Sequence, residues 1–271
     1  MTYKVINRSV FIENNKQNNL KNTEIDTIFN KLFNSNKNWR NTYKSVIFKD
    51  NMSDIEKKQN EIKSLLNKFS NPNFVEFKKK ILIYCDTNSE LSIFTLEYIF
   101  NISMKQPIFC NLYVKLIKAL VDTTPQLKTN IIDICNNYKD LVNSNNIKNN
   151  KNLSYDDFCK NNILKQYKVG YSQLFGELFI NKLIKIEVIT ENIIYMFNIL
   201  KSILEKQDTD NYIEDLIICI NRLVITILDS MTKEHIHNTI IDLNEIYSSP
   251  LIIKRLKFKL MDLKDMLESK I

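Results

Sequence analysis

The chain predicts an all-helical protein built as a succession of antiparallel helix pairs. Three observations carry this. Only two glycines and four prolines occur in 271 residues, whereas a sandwich or a doubly wound sheet needs turn glycines at almost every connection. Apolar residues recur at helical rather than alternating spacing along most of the sequence. The breaks between these periodic runs group about ten helices into pairs of roughly 35 to 45 residues.

Residues 1 to 52 form an irregular N-terminal arm, and residues 53 to 271 form the helical body. Asn14 to Asn22 is polar and aperiodic, as in a flexible segment. Ile25 to Phe33 has the spacing of a short helix. Trp39 is the only tryptophan and serves as an anchor tying the arm to the body.

Ser53 with Glu56 three residues on fits a capping box and starts the first firm helix. Its stripe is Ile55, Ile62, Leu65, Leu66 and Phe69. Ser70-Asn71-Pro72 breaks it, and Pro72 leads the next helix, with Phe74, Phe77, Ile81 and Leu82 inward. Helices are then expected over Leu91 to Met104, Pro107 to Val121 and Leu127 to Val142. Asn143 to Asn152 is nearly all Asn, Lys and Ser, a loop.

Tyr155 to Lys168 is one further helix, followed by the run from Gly170 to Phe179 that holds both glycines. A glycine inside a helix costs about 1 kcal/mol relative to alanine, so Gly176 implies the close approach of another helix. Gly170 is expected to open this helix or to end the one before it. The last helices are expected over Glu187 to Lys206, Asn211 to Leu228, Lys233 to Tyr247 and Leu251 to Ser269. The whole succession has the layout of a HEAT-type solenoid of about five hairpins.

The net charge of +7 is almost wholly lysine, since Arg8, Arg40, Arg222 and Arg255 are the only arginines. Dominance of Lys, Asn and Ile points to an AT-rich genome, such as that of a giant DNA virus or a protist. A basic balance is compatible with RNA contact and equally with a solvated lysine surface, and the latter is the expectation for Lys78-Lys79-Lys80. The five cysteines are widely spaced and form no C-x-x-C pair, which implies free thiols rather than a zinc site or a disulfide framework. No signal peptide opens the chain, and no apolar run reaches membrane-spanning length. The expectation is a soluble, cytoplasmic protein without a membrane partner.

Catalytic chemistry is not legible. There is no phosphate-cradling G-x4-G-K-[ST]. The only histidines, His235 and His237, stand two apart on different helix faces, which suits no shared metal. Asp156-Asp157 and Asp208 to Asp210 fit helix-start acids. No enzyme activity, cofactor or metal is expected.

Four marks, in order, resemble the middle domain of eukaryotic translation initiation factor 4G. Asn38-Trp39-Arg40 is similar to its A-W-K-P. SLLNKFSNPNF, Ser64 to Phe74, is similar to its S-I-L-N-K-L-T-P-x-x-F. GYSQLFGELF, Gly170 to Phe179, is similar to G-x5-G-E-L-F/Y. IKRLKFKLMDL, Ile253 to Leu263, is similar to its closing S-S-R-I-K/R-F-x-L-x-D-V/I. Between the first and last pairs of marks, Leu96 to Leu120 follows the family without a gap.

The resemblance implies a HEAT-type scaffold that binds a DEAD-box helicase of the initiation factor 4A kind. It also implies a cap-binding factor 4E, reached through the arm, although the family's Tyr-x4-Leu hook is missing there: Tyr3 meets Arg8 at the critical place. Carried over residue by residue, helicase contact falls on Leu66, Phe69, Phe175, Glu177, Phe179, Arg255 and Phe258. Leu66 and Phe69 also lie on the core stripe of their helix, where burial is the default. In the last helix the stripe is Ile252, Leu256, Leu260, Leu263 and Leu267, and Phe258 lies roughly opposite it. Phe258 is therefore either a binding anchor beside Arg255 or a contact to another helix or to the N-terminal arm. Lys254, Lys257 and Lys259 are candidates for RNA phosphates. Adaptors of mRNA decay, splicing or nuclear cap binding share the superfold, and a bare scaffold for viral or structural assembly is a third reading.

Overall fold

The computed structural model describes residues 52–143, 154–205 and 212–271. Trp39, the rest of the arm, the Asn-rich loop and Asp208 to Asp210 lie outside the described residues. Those described contain ten α-helices and no strand. In order these are α1 (Asp54–Asn67), α2 (Phe74–Asp86), α3 (Ser89–Lys105), α4 (Cys110–Thr123), α5 (Leu127–Asn143), α6 (Tyr155–Ile180), α7 (Ile186–Glu205), α8 (Tyr212–Ile227), α9 (Lys233–Ser248) and α10 (Lys254–Glu268). The protein is all-α.

Local chemistry explains most boundaries. Ser53 caps α1 in a reciprocal box, its Oγ accepting from the Glu56 amide while the Glu56 carboxylate accepts from the Ser53 amide at 2.8 Å. Pro72 and Pro107 sit in short 3-10 turns, Asn71–Asn73 and Pro107–Phe109, that lead into α2 and α4, where their missing N–H is no loss. Ser154 caps α6 by accepting from the Asp157 amide, and Asp156 and Asp157 occupy its first turn. Two expectations need correction. α10 starts at Lys254 rather than Leu251, because the Leu251 amide donates to Ser249 Oγ and the Ile252 amide to the Ser249 carbonyl, forming a turn that the extended Ile253 then leaves. Gly170 neither opens nor ends a helix. It lies within α6, which runs for 26 residues, about 39 Å at 1.5 Å per residue.

The two glycines stand where α6 meets its two principal neighbours. A Cβ on Gly170 would come within 2.1 Å of the Met104 carbonyl oxygen of α3, and one on Gly176 within 2.7 Å of Thr226 Cγ2 on α8. The close approach inferred for Gly176 is thus present, and Gly170 makes the tighter contact of the two, against backbone. With both glycines so placed, the left-handed position that ends α6 falls to Lys182, at φ 63°. The Leu183 amide reaches back to the Leu178 carbonyl and the Lys182 amide to Phe179, a Schellman ending of the kind glycine normally completes.

Helix contacts follow chain order. Each hairpin packs on itself, and α2–α4, α4–α6, α6–α8 and α8–α10 are all in contact, so the even-numbered helices form a continuous row. From α4 onward the members of that row run parallel. Gln173 of α6 donates to the Pro107 carbonyl at 3.0 Å and Glu177 accepts from Asn111 at 2.9 Å. Lys165 of α6 pairs with Asp215 of α8 near one end of their contact, and Gly176 meets Thr226 near the other. Arg255 and Glu214 join the starts of α10 and α8, while Lys270 and Asp229 join the segments just past their ends. Between the rows, Tyr138 of α5 is fully buried, stacked on Tyr171 and Phe175 of α6 at 5.0 and 5.1 Å, with its hydroxyl 2.8 Å from Ser172 Oγ.

Glycine placement makes two predictions for chemical denaturation. Gly170→Ala should lose about 3 kcal/mol because backbone must move, and Gly176→Ala about 1 to 2 kcal/mol, most of it restored by adding Thr226→Ala. Lys182→Gly should instead gain about 1 kcal/mol by relieving a left-handed residue. Equal effects at the two glycines, or a loss at Lys182→Gly, would contradict this account.

Candidate partner-binding surface

α10 has one buried and one open side. Ile252, Leu256, Leu260, Leu263 and Leu267 are buried as the stripe requires, and Phe258 is 63% exposed. Exposed Ile253 precedes it at the cap, and Met261 follows one turn later, so the open side of α10 is partly apolar. At the opposite end of the stack α1 shows no exposed large hydrophobic side chain. The first and last helices thus differ in this respect.

Charge on this side is arranged by α8. Arg255 is exposed but its guanidinium donates to the Glu214 carboxylate, and Glu214 also lies 3.9 Å from Lys165, which pairs with Asp215 at 2.8 Å. The network spans α6, α8 and α10 and fixes Arg255 about one turn from Phe258. Lys254 is exposed. Lys257 is half-buried, with its ammonium 5.2 Å from the centre of the Tyr247 ring, and Lys259 is half-buried too. Of the three lysines named for RNA, Lys254 alone stands fully open.

Other sequence-selected residues lie elsewhere. Leu66 and Phe175 have no exposed surface, and Phe69 is 3% exposed, stacked on Tyr113 at 5.8 Å. Burial, the default for Leu66 and Phe69, is what occurs, and the direct contact carried over to these three by the motif resemblance is physically blocked in this conformation. Glu177 is half-buried and committed to Asn111 of α4, and Phe179 is half-buried against the core. Leu66 lies in α1, Phe69 just beyond it and the other three in α6, whereas Arg255 and Phe258 stand one turn apart at the surface.

Four of the five thiols are buried. Cys85, Cys110, Cys135 and Cys219 are buried and Cys159 is half-buried. Burial pushes the Cys219 thiol up to about 11 and the Cys135 thiol up to about 12, so both stay protonated at neutral pH. His235 shares a 2.8 Å hydrogen bond between Nδ1 and Thr232 Oγ1 at the start of α9, and His237 is exposed. Lys168 is buried, which lowers its pKa, and its ammonium donates to the Val142 carbonyl at the end of α5 beside the Tyr212 ring. Among the described residues no helix is long and apolar enough to cross a membrane.

No protein-family model matches the chain, and no curated protein sequence matches it.

The contrast between Phe258 and Phe175 is measurable by thermal or chemical unfolding. Phe258→Ala should change stability by less than about 0.5 kcal/mol, whereas Phe175→Ala should lose about 3 to 5 kcal/mol. A large loss at Phe258 would assign it to a packing contact instead.

Proposed function

We propose that this protein is a non-enzymatic HEAT-type scaffold, and that its partner is a DEAD-box helicase of the initiation factor 4A kind. The observation that carries the scaffold reading is the open side of α10, where Phe258 stands exposed beside a fixed Arg255. An exposed aromatic next to a guanidinium is the composition of an interface hot spot. The continuous even row of successive hairpins supports a solenoid, in which each repeat rests mainly on its neighbours and leaves long surfaces for binding.

The identity of the partner rests on the four sequence marks shared with factor 4G. On that reading the scaffold contacts both lobes of the helicase and holds them in the arrangement that closes on ATP and RNA. It favours the competent state by binding it better than the open one. Lys254 is the best placed of the basic residues to meet RNA phosphate. A cap-binding factor 4E would be recruited through the arm of residues 1 to 52, and work in translation initiation places the protein in the cytoplasm.

Titration of purified 4A-type helicase against the full chain tests the proposal. Phe258→Ala should weaken binding about 5- to 150-fold, or about 1 to 3 kcal/mol, with unchanged melting. Absence of helicase binding by the unmodified chain would refute the partner, and binding indifferent to Phe258→Ala would refute this surface.

A further inference from the structure

The open side of α10 changes along its length from basic to apolar to acidic. Lys254, Phe258, Met261 and Asp265 follow one another at intervals of four, three and four residues, and all are exposed. That alternation is the spacing of a seam along which two helices pair. It lies opposite the buried stripe of Leu256, Leu260, Leu263 and Leu267, so it is turned away from the rest of the stack.

Charges at both ends of this seam are unanswered within the chain. Among the described residues, Lys254, Asp262 and Asp265 take part in no ion pair. Neighbouring charges of α10 and the segment after it are engaged elsewhere: Arg255 on Glu214, Lys264 on Glu268 at 3.6 Å, and Lys270 on Asp229 at 2.6 Å. Lys257, over the Tyr247 ring, and Lys259 are half-buried on the two flanks of the seam.

These charges select the occupant. A nucleic acid would be repelled at Asp262 and Asp265, and a protein segment of a single sign would meet like charge at one end of the seam. Read backwards, however, the seam is its own complement. A two-fold axis between Phe258 and Met261 puts Lys254 of each copy against Asp265 of the other, and Phe258 against Met261. The first turn of α10 contains no acid of its own, and the second copy's Asp265 supplies one where the helix dipole favours it. We propose that this chain forms a two-fold dimer in which α10 pairs antiparallel with α10 of a second copy. A contact centred on one helix of 15 residues, about 22 Å long, is small for a permanent dimer, so the two copies associate reversibly. The helicase reading uses the same side of α10, so the dimer and a helicase complex exclude each other at Phe258. The dimer does not rest on that reading and is tested without helicase.

Sedimentation equilibrium of the full chain over rising concentration should show a monomer–dimer equilibrium that shifts towards monomer as salt rises. Phe258→Ala should weaken dimerisation about tenfold or more. Lys254→Glu and Asp265→Lys, made separately, should each do the same, because each sets like charges face to face at both ends of the seam. Mixed in equal amounts, these two charge variants should pair with each other within about threefold of the unmodified chain, since every junction then joins opposite charges. Glu97→Lys on α3 should leave dimerisation within about twofold, and all variants should melt as the unmodified chain does when dilute enough to be monomeric. Four results overturn the proposal: a monomer at every concentration; a dimer indifferent to Phe258→Ala; an equal loss from Glu97→Lys; or a mixture of the two charge variants that pairs no better than either alone.

Discussion

Everything in this stack is referred to the crossing of α6 over α3 at Gly170, where a single methyl would run into the Met104 carbonyl. Helices usually pack at 8 to 10 Å between axes, a distance set by the side chains at the contact. Absence of a side chain at Gly170 lets backbone touch backbone. Six residues on, Gly176 seats α6 against Thr226 of α8. The two points fix both the depth and the register of α6, and that register lets Tyr138 stack on Tyr171 and Phe175.

From that fixed centre the outer elements inherit their positions. Lys165 on α6 holds Asp215 of α8, and the neighbouring Glu214 holds Arg255 of α10. The exposed pair on α10 is therefore placed by a chain of contacts that starts two helices away. An aromatic on a helix with no such support would sample several orientations, with a corresponding entropic penalty on binding.

Much of this was legible in residue patterns, for reasons specific to each. Ser53 and Glu56 announced the start of α1 because a capping box is a local structure that needs no tertiary partner. Phe258 was placed on the open side because its angular distance from Leu256, Leu260 and Leu263 is fixed by helical geometry alone. Gly176 signalled close approach, though not which helix approaches. Gly170 misled about boundaries, since its effect depends on the Met104 carbonyl, 66 positions earlier, and no cap or proline surrounds it. Contact assigned to Leu66, Phe69 and Phe175 through motif likeness alone conflicts with their burial, because a motif records which residue recurs and not which way it faces.

The parallel run of α4, α6, α8 and α10 has an electrostatic consequence. Peptide dipoles in parallel helices add rather than cancel, and α8 and α10, whose starts are joined by Glu214 and Arg255, bring two N-terminal ends carrying about half a positive charge each side by side. Within α8 and α6 the positive end is met by acids in the first turn, Glu214 and Asp215 in one and Asp156 and Asp157 in the other. The first turn of α10 contains no acid and its cap residue, Ile253, offers no side-chain acceptor, so Lys254 and Arg255 add their charge to the dipole's. Glu214, reaching from α8 to Arg255, is thus the carboxylate that answers two helix ends at once.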